Sequence, residues 1–337
     1  MTVSPPPPDL DAPPLLVGEA VEDWTGDARF YEYTRAADPL GSGAISPIPV
    51  RRFPASVHQG GPTRVVPLDL SEELGVRTTA TSPALLAAFV VLRAGEAVST
   101  EPDATSELYY VLRGSGTSSV DTVGVRVGPG PRVLTWAAGD FFVLPALCTT
   151  VHRAAAAIGD AGAVLYRVTD APLLHYLGAR PSETRFRPTR YDGAEALARL
   201  ADVEAEDASS ERNRVSILLG NAATPQTLTA THTLWAMLGV LPAGRVQRPH
   251  RHQSVALDLI VDCRPGCFSL VGPEIDGTGS IVDPERVDWE SGGAFVTPPG
   301  LWHSHHNESG APAHLVPVQD AGLHTYLRTL DIRFTRP

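Results

Sequence analysis

The chain repeats itself. The segment Trp136-Ala-Ala-Gly139-Asp-Phe-Phe-Val-Leu-Pro145 returns as Trp289-Glu-Ser-Gly292-Gly-Ala-Phe-Val-Thr-Pro298, and Asp170-Ala-Pro-Leu-Leu-His-Tyr-Leu177 returns as Asp320-Ala-Gly-Leu-His-Thr-Tyr-Leu327. The copies are offset by about 150 residues, which is one domain's length, so the chain reads as two copies of one unit. Between the repeated motifs lie short apolar runs at 87–93, 108–112, 141–144, 163–168, 234–241 and 313–319, separated by Gly, Pro, Asp and Ser clusters. Many strand-length runs punctuated by turn residues specify an all-β fold of two tandem jelly-roll barrels. Helix is a minor component, best formed over 194–203 between the copies. The expected organisation is a short, partly disordered N-terminal arm over 1–60, with Phe30 and Tyr33 among its few aromatic residues. A first barrel over 61–190 follows, then a linker helix and second barrel over 191–337.

The second copy carries a dense set of histidines in Gly244-Arg-Val-Gln-Arg-Pro-His250-Arg-His252 and Gly292-Gly-Ala-Phe-Val-Thr-Pro298-Pro-Gly300-Leu-Trp-His303-Ser-His305-His306-Asn307. Side chains alternate along a strand, so His250 and His252 point to one face and can share one ion. A returning strand brings His303 to the same place. Three neutral imidazoles with open positions suit divalent iron, manganese, nickel, copper or zinc. A lone histidine on an apolar strand is more often a packed core residue, but three at these spacings read as metal ligands.

Both segments follow the two cupin motifs: glycine, five residues, His-x-His; then glycine, five residues, Pro-x-Gly, two residues, His, three residues, Asn. The glutamate that often follows the second histidine is missing, since Ala256 and Leu257 stand there. This three-histidine variant resembles the bicupin ring-cleaving dioxygenases of the gentisate, salicylate and 1-hydroxy-2-naphthoate class. The resemblance implies a non-haem iron(II) cofactor, an electron-rich hydroxylated aromatic substrate, dioxygen as co-substrate and a homo-oligomer. Carried over by position, it also implies substrate-binding roles for Arg214, Trp235 and His305. The family arginine that grips the substrate carboxylate falls on Asp258, which offers acceptors in place of a donor fork. Either Asp258 turns outward, or it faces the pocket and, with His305, moves protons for a substrate lacking a carboxylate there.

In the first copy the positions corresponding to His250, His252 and His303 hold Glu101, Asp103 and Thr150, with Glu107 at the motif glutamate. An oxygen-ligand cation site is conceivable there, but a supporting scaffold that has lost its metal is the simpler expectation. Cys148, Cys263 and Cys267 form no disulfide framework and read as unpaired thiols.

Composition narrows the partners. The formal net charge is −11, and all 27 basic residues are arginine. An acidic chain without a basic stripe argues against nucleic acid and anionic membrane, and the absence of lysine excludes side-chain Schiff-base chemistry. No apolar run approaches the roughly 20 residues of a membrane helix. The opening residues lack the charge and apolar core of a signal peptide, so the cytoplasm is expected. Two rivals to the dioxygenase remain from sequence: a three-histidine cupin oxidising a thiol, diketone or nitrogen compound, and a non-catalytic small-molecule binder.

Overall fold

A computed structural model describes residues 24–122, 132–156, 162–206 and 212–335. Two compact units divide the chain, Met1–Ile45 and Ser46–Pro337. In the first, the short helix Tyr33–Ala36 is capped by the Glu32 carboxylate, which accepts from the backbone N–H groups of Thr34 and Arg35. The proline tract lies outside the described residues. The second unit holds both barrels and begins at Ser46, so the end of the expected 1–60 arm lies inside it. Among the described residues no helix is long and apolar enough to cross a membrane.

Each barrel is a pair of antiparallel sheets. The first combines a six-stranded sheet, in the order Thr189–Tyr191, Phe141–Pro145, Ser106–Arg113, Ala163–Thr169, Leu86–Leu92, Arg64–Pro67, with a four-stranded one. The second has the matching order Arg51–Phe53, Ala294–Thr297, Ala256–Asp262, Ala313–Gln319, Trp235–Leu241, Val215–Leu218, facing a five-stranded sheet.

Period-two alternation assigns each long strand two buried faces. Along Ser106–Arg113, Leu108 and Tyr110 join one core while Tyr109 and Val111 join another. Along Ala256–Asp262, Leu257 and Leu259 join the first of these cores, and Ile260 turns into the second barrel. The large core therefore runs between the two barrels, uniting Phe89, Phe141 and Tyr166 with Leu238, Val296 and Val318. Each fully buried Phe or Leu there contributes roughly 1.5–3 kcal/mol relative to exposure. The remaining faces line two separate interiors, one around Phe142 and Leu165, the other around Phe295 and Leu315, and each also encloses buried polar groups.

The barrels also exchange edges. Arg51–Phe53, which precedes the first barrel's strands, pairs with Ala294–Thr297 of the second, and Thr189–Tyr191, which precedes the second barrel's strands, pairs with Phe141–Pro145 of the first. A boundary at 190/191 cuts through the latter strand. The linker helix spans Gly193–Ala205; Asp192 caps it by accepting from Ala194 N and Glu195 N, and Ala196 and Leu200 face the shared core. Gly193 is required by close approach, because a Cβ there would sit 2.5 Å from the Gly139 carbonyl carbon.

Candidate metal centre

Four imidazoles meet inside the second barrel. His250, on Val246–Arg251, lies directly opposite His303, on Trp302–Asn307. His305, two residues on from His303, points the same way and lies opposite Gln247 on one side and Ser269 on the other. His252 follows the end of its strand, and its carbonyl accepts from the N–H of Gly300, tying the two motif segments together at 2.7 Å. Gly300 makes that turn at φ +78°, a left-handed conformation that side chains disfavour. The motif asparagine, Asn307, is structural: its amide donates to the carbonyls of Leu241 and Ala311.

A β-bulge aims His250. The register passes from the Gln247↔His305 pair to His250↔His303, three residues along one strand against two along the other. An extra residue of this kind re-aims the side chains beyond it. The closing strand Arg333–Phe334 then pairs with His250 and Arg251, placing the Phe334 ring 5.8 Å from that of His250.

Each ring has its Nδ1 tied to the protein. Nδ1 of His250, His252 and His303 lies 3.1, 2.8 and 3.1 Å from the carbonyls of Arg248, Ser254 and Leu301. A carbonyl can only accept, so these Nδ1 atoms carry the proton and Nε2 keeps a lone pair. Burial, reinforced by the nearby Arg214 charge, holds His250 and His305 far below the usual imidazole range; for His303 the added cause is the neighbouring histidines, and His252 is lowered to about 4. All four are neutral at neutral pH, the form that binds metal.

Ligand atoms of His250, His303 and His305 lie within 4.8 Å of one another. This grouping differs by one member from the sequence-based set of His250, His252 and His303. The His252 ring is close by, 4.8 Å from the His303 centroid and 6.2 Å from that of His250. Buried neutral imidazoles offering bare Nε2 atoms fit a divalent transition metal.

The other expected residues surround this cluster. Asp258 is 2 % exposed and faces the barrel interior, opposite Phe295, so the outward-turned alternative is excluded. Its carboxylate accepts from Thr297 Oγ1 at 2.8 Å, and burial, partly offset by Arg214, raises it to about 6. Arg214 donates from Nε to Gln247 Oε1 at 3.3 Å, and its Nη1 approaches Met237 Sδ at 3.6 Å. Trp235 shares a strand face with Met237 and keeps a buried indole N–H that has no partner among the described residues. Sequence reasoning missed Gln247, whose amide nitrogen lies 3.2 Å from His250 Nε2, linking Arg214 to the cluster. It also missed Ser269 and the role of Trp289, described below. No motif marks Gln247 or Ser269, and both become visible through strand register alone.

In the first barrel the correspondence shifts by one residue. Thr100, not Glu101, lies opposite Thr150, because this strand has no bulge. Glu101 is exposed and Asp103 pairs with the exposed Arg180 at 3.4 Å, so the carboxylates do not gather into the oxygen-ligand site that was the alternative to a scaffold role. The interior instead holds a buried ion pair, Glu107 with Arg167 at 2.7 Å. The three cysteines are free.

The fold is that of tandem cupin-type jelly-roll barrels, with one candidate metal centre among the described residues. No family model matches the chain. Over 104 residues it is 32% identical to gentisate 1,2-dioxygenase 1 of Aquipseudomonas alcaligenes, a match covering 31% of this chain and 26% of that protein. Over 107 residues it is 30% identical to 1-hydroxy-2-naphthoate 1,2-dioxygenase of Nocardioides sp. (strain KP7), covering 32% and 24%. These matches span about a quarter of the relatives' length. In fold it is similar to salicylate 1,2-dioxygenase of Pseudoaminobacter salicylatoxidans in complex with gentisate, with TM-score 0.63, 16% identity and 87% of each chain covered. The Mn(II)-containing oxalate decarboxylase of Bacillus subtilis is also similar, at TM-score 0.53 and 13% identity over 79% and 76%.

Proposed function

We propose that this chain is a metal-dependent dioxygenase that oxidises or cleaves an electron-rich hydroxylated aromatic molecule with O2. The observation that carries the reading is the set of neutral imidazoles converging in the second barrel. The sequence matches to gentisate and hydroxynaphthoate dioxygenases support the substrate class. Fe(II) is the proposed metal, held by His250, His252 and His303. Such an ion acidifies a bound hydroxyl and orients both reactants.

The protein's own contribution is orientation and charge. Trp235 has an unpaired indole N–H to offer a substrate oxygen. His305 borders the ligands and Asp258, raised to about 6, is positioned in the same interior to hold or release a proton near neutral pH. The positive charge of Arg214 is countered by Asp258, so apart from the metal itself Arg214 offers a substrate carboxylate no uncompensated charge. The proposed substrate is therefore a neutral phenol, catechol or hydroquinone at this position.

Anaerobic loading with Fe(II), followed by oxygen-uptake measurements with a panel of phenols, tests the reading. Uptake should be faster with neutral hydroxylated rings than with salicylate. Asp258→Asn, which leaves Arg214 uncompensated, should shift the preference toward salicylate by about tenfold, one charge-pair's worth. Metal bound at one per chain with no uptake from any phenol would instead support the non-catalytic binder.

A further inference from the structure

His305 sits among the ligands, and the geometry decides what its ring presents. Its Nδ1 lies 2.7 Å from Ser269 Oγ, and the same oxygen lies 2.8 Å from Trp289 Nε1. An indole N–H can only donate, so Ser269 accepts from Trp289. The serine hydroxyl has one hydrogen left to place. Among the described residues, His305 Nδ1 is the acceptor within its reach, and both residues are buried, Ser269 at 0% and His305 at 1% exposure. Were Nδ1 protonated, Ser269 Oγ would accept from both rings and its own buried hydrogen would be left without an acceptor.

The first barrel contains the same three residues and confirms the polarity by an independent count. Trp136 Nε1 donates to Ser118 Oγ at 2.9 Å, and Ser118 Oγ lies 2.8 Å from His152 Nδ1. On the other side of that ring, Nε2 lies 3.0 Å from Thr100 Oγ1 and 3.2 Å from Tyr109 OH. Tyr109 gives its own hydrogen to the Glu107 carboxylate at 2.6 Å, so toward Thr100 and His152 its oxygen can only accept. Thr100 has one hydrogen for Tyr109, 3.1 Å away. The group is fully bonded when His152 Nε2 carries a proton and Nδ1 accepts from Ser118.

We propose that Ser269, oriented by Trp289, is a positioning residue that donates to His305 Nδ1 and thereby keeps a proton on His305 Nε2. His305 is then a hydrogen-bond donor beside the metal ligands and not one of them. His252, whose Nδ1 proton goes to a carbonyl, supplies the third lone pair together with His250 and His303. This consequence rests on the proposed metal site, whereas the tautomer itself does not.

The test uses full-length, metal-free protein labelled with 15N-histidine. Long-range proton–nitrogen correlation separates protonated from bare ring nitrogens, and the His305 signals are assigned by their loss in His305→Gln. The expected wild-type pattern is a proton on Nε2 and a bare Nδ1. Ser269→Ala should turn this single tautomer into a mixture, and Ser269→Thr, which keeps the hydroxyl, should restore it. A wild-type spectrum with Nδ1 protonated overturns the proposal, as does an unchanged tautomer in Ser269→Ala. The wild-type spectrum decides even if the alanine variant fails to fold. Zinc-loaded His305→Gln should retain the wild-type metal content while His252→Ala loses it, and the reverse result makes His305 a ligand and overturns the proposal. If the wild-type protein binds no metal, the functional reading fails while the tautomer result still stands.

Discussion

The two barrel interiors share a scaffold and differ in what they leave unsatisfied. Both place a Trp–Ser–His chain at the same register, and both set a polar residue opposite a phenylalanine: Tyr109 facing Phe142, and Asp258 facing Phe295. In the first barrel Glu107 binds Arg167 and Tyr109, and His152 is held at both nitrogens. A few oxygens remain without partners there, among them Glu107 Oε1 and Thr150 Oγ1. In the second, carbonyls take the Nδ1 protons of His250, His252 and His303 and leave bare nitrogens aimed inward. The second barrel's imidazoles are tied chiefly through Nδ1, with the neutral Gln247 amide alone against His250 Nε2, whereas hydroxyls hold His152 of the first barrel at both nitrogens.

The bulge is the sharpest point of difference. Exchanging two neighbours, His250→Arg with Arg251→His, would carry the imidazole to the opposite face of the strand beyond the bulge, with the number of histidines unchanged. Metal content should fall from about one ion per chain to near none, as read by elemental analysis alongside circular dichroism. Retention of metal in the folded exchange variant would show that the residue types suffice without the aim that the bulge gives them.

The next effect is on folding. Glu107 and Arg167 are buried partners, and removing one strands the other, so Glu107→Ala should lower the unfolding free energy by about 3–5 kcal/mol. Metal binding in the second barrel should survive. A loss below about 1 kcal/mol in urea titration would mean that the first interior is not held by this pair.

The smallest effect concerns pH, in metal-free protein. The folded state raises Asp258 from 3.8 to about 6, so its stabilising contribution is complete below its unfolded value and is lost as pH rises through about 6. His252, lowered from 6.5 to about 4, acts oppositely: its contribution is present above 6.5 and is lost as pH falls through about 4. The two oppose each other between these limits. Asp258→Asn should therefore steepen the rise of stability between about pH 4 and 6, and an unchanged slope would mean that Asp258 titrates as if in water.

Strands were the most legible part of the sequence. The run expected over 313–319 coincides with Ala313–Gln319, and the helix expected over 194–203 lies inside Gly193–Ala205, because apolar periodicity and an Asp cap are local signals. The repeat and the inward aim of His250 and His303 were equally readable, whereas the aim of Asp258 was left open. What eluded sequence was register: a bulge shifts the copies by one residue, so Glu101 was matched where Thr100 belongs. The two short exchanged strands carry no apolar alternation of their own, being Arg-Arg-Phe and Thr-Arg-Tyr. Their partners are set by tertiary closure.

Those exchanged strands bear on how the chain is built in time. A ribosome releases Arg51–Phe53 long before Ala294–Thr297, the strand it will join. Throughout synthesis of the first barrel this segment carries unpaired backbone with no home, and the second barrel cannot close its edge with residues from its own half. Neither half, expressed alone, contains a complete six-stranded sheet. Mixing the halves should let each return the other's missing strand, which makes the molecule a natural candidate for reassembly from fragments cut in the exposed region around Glu183.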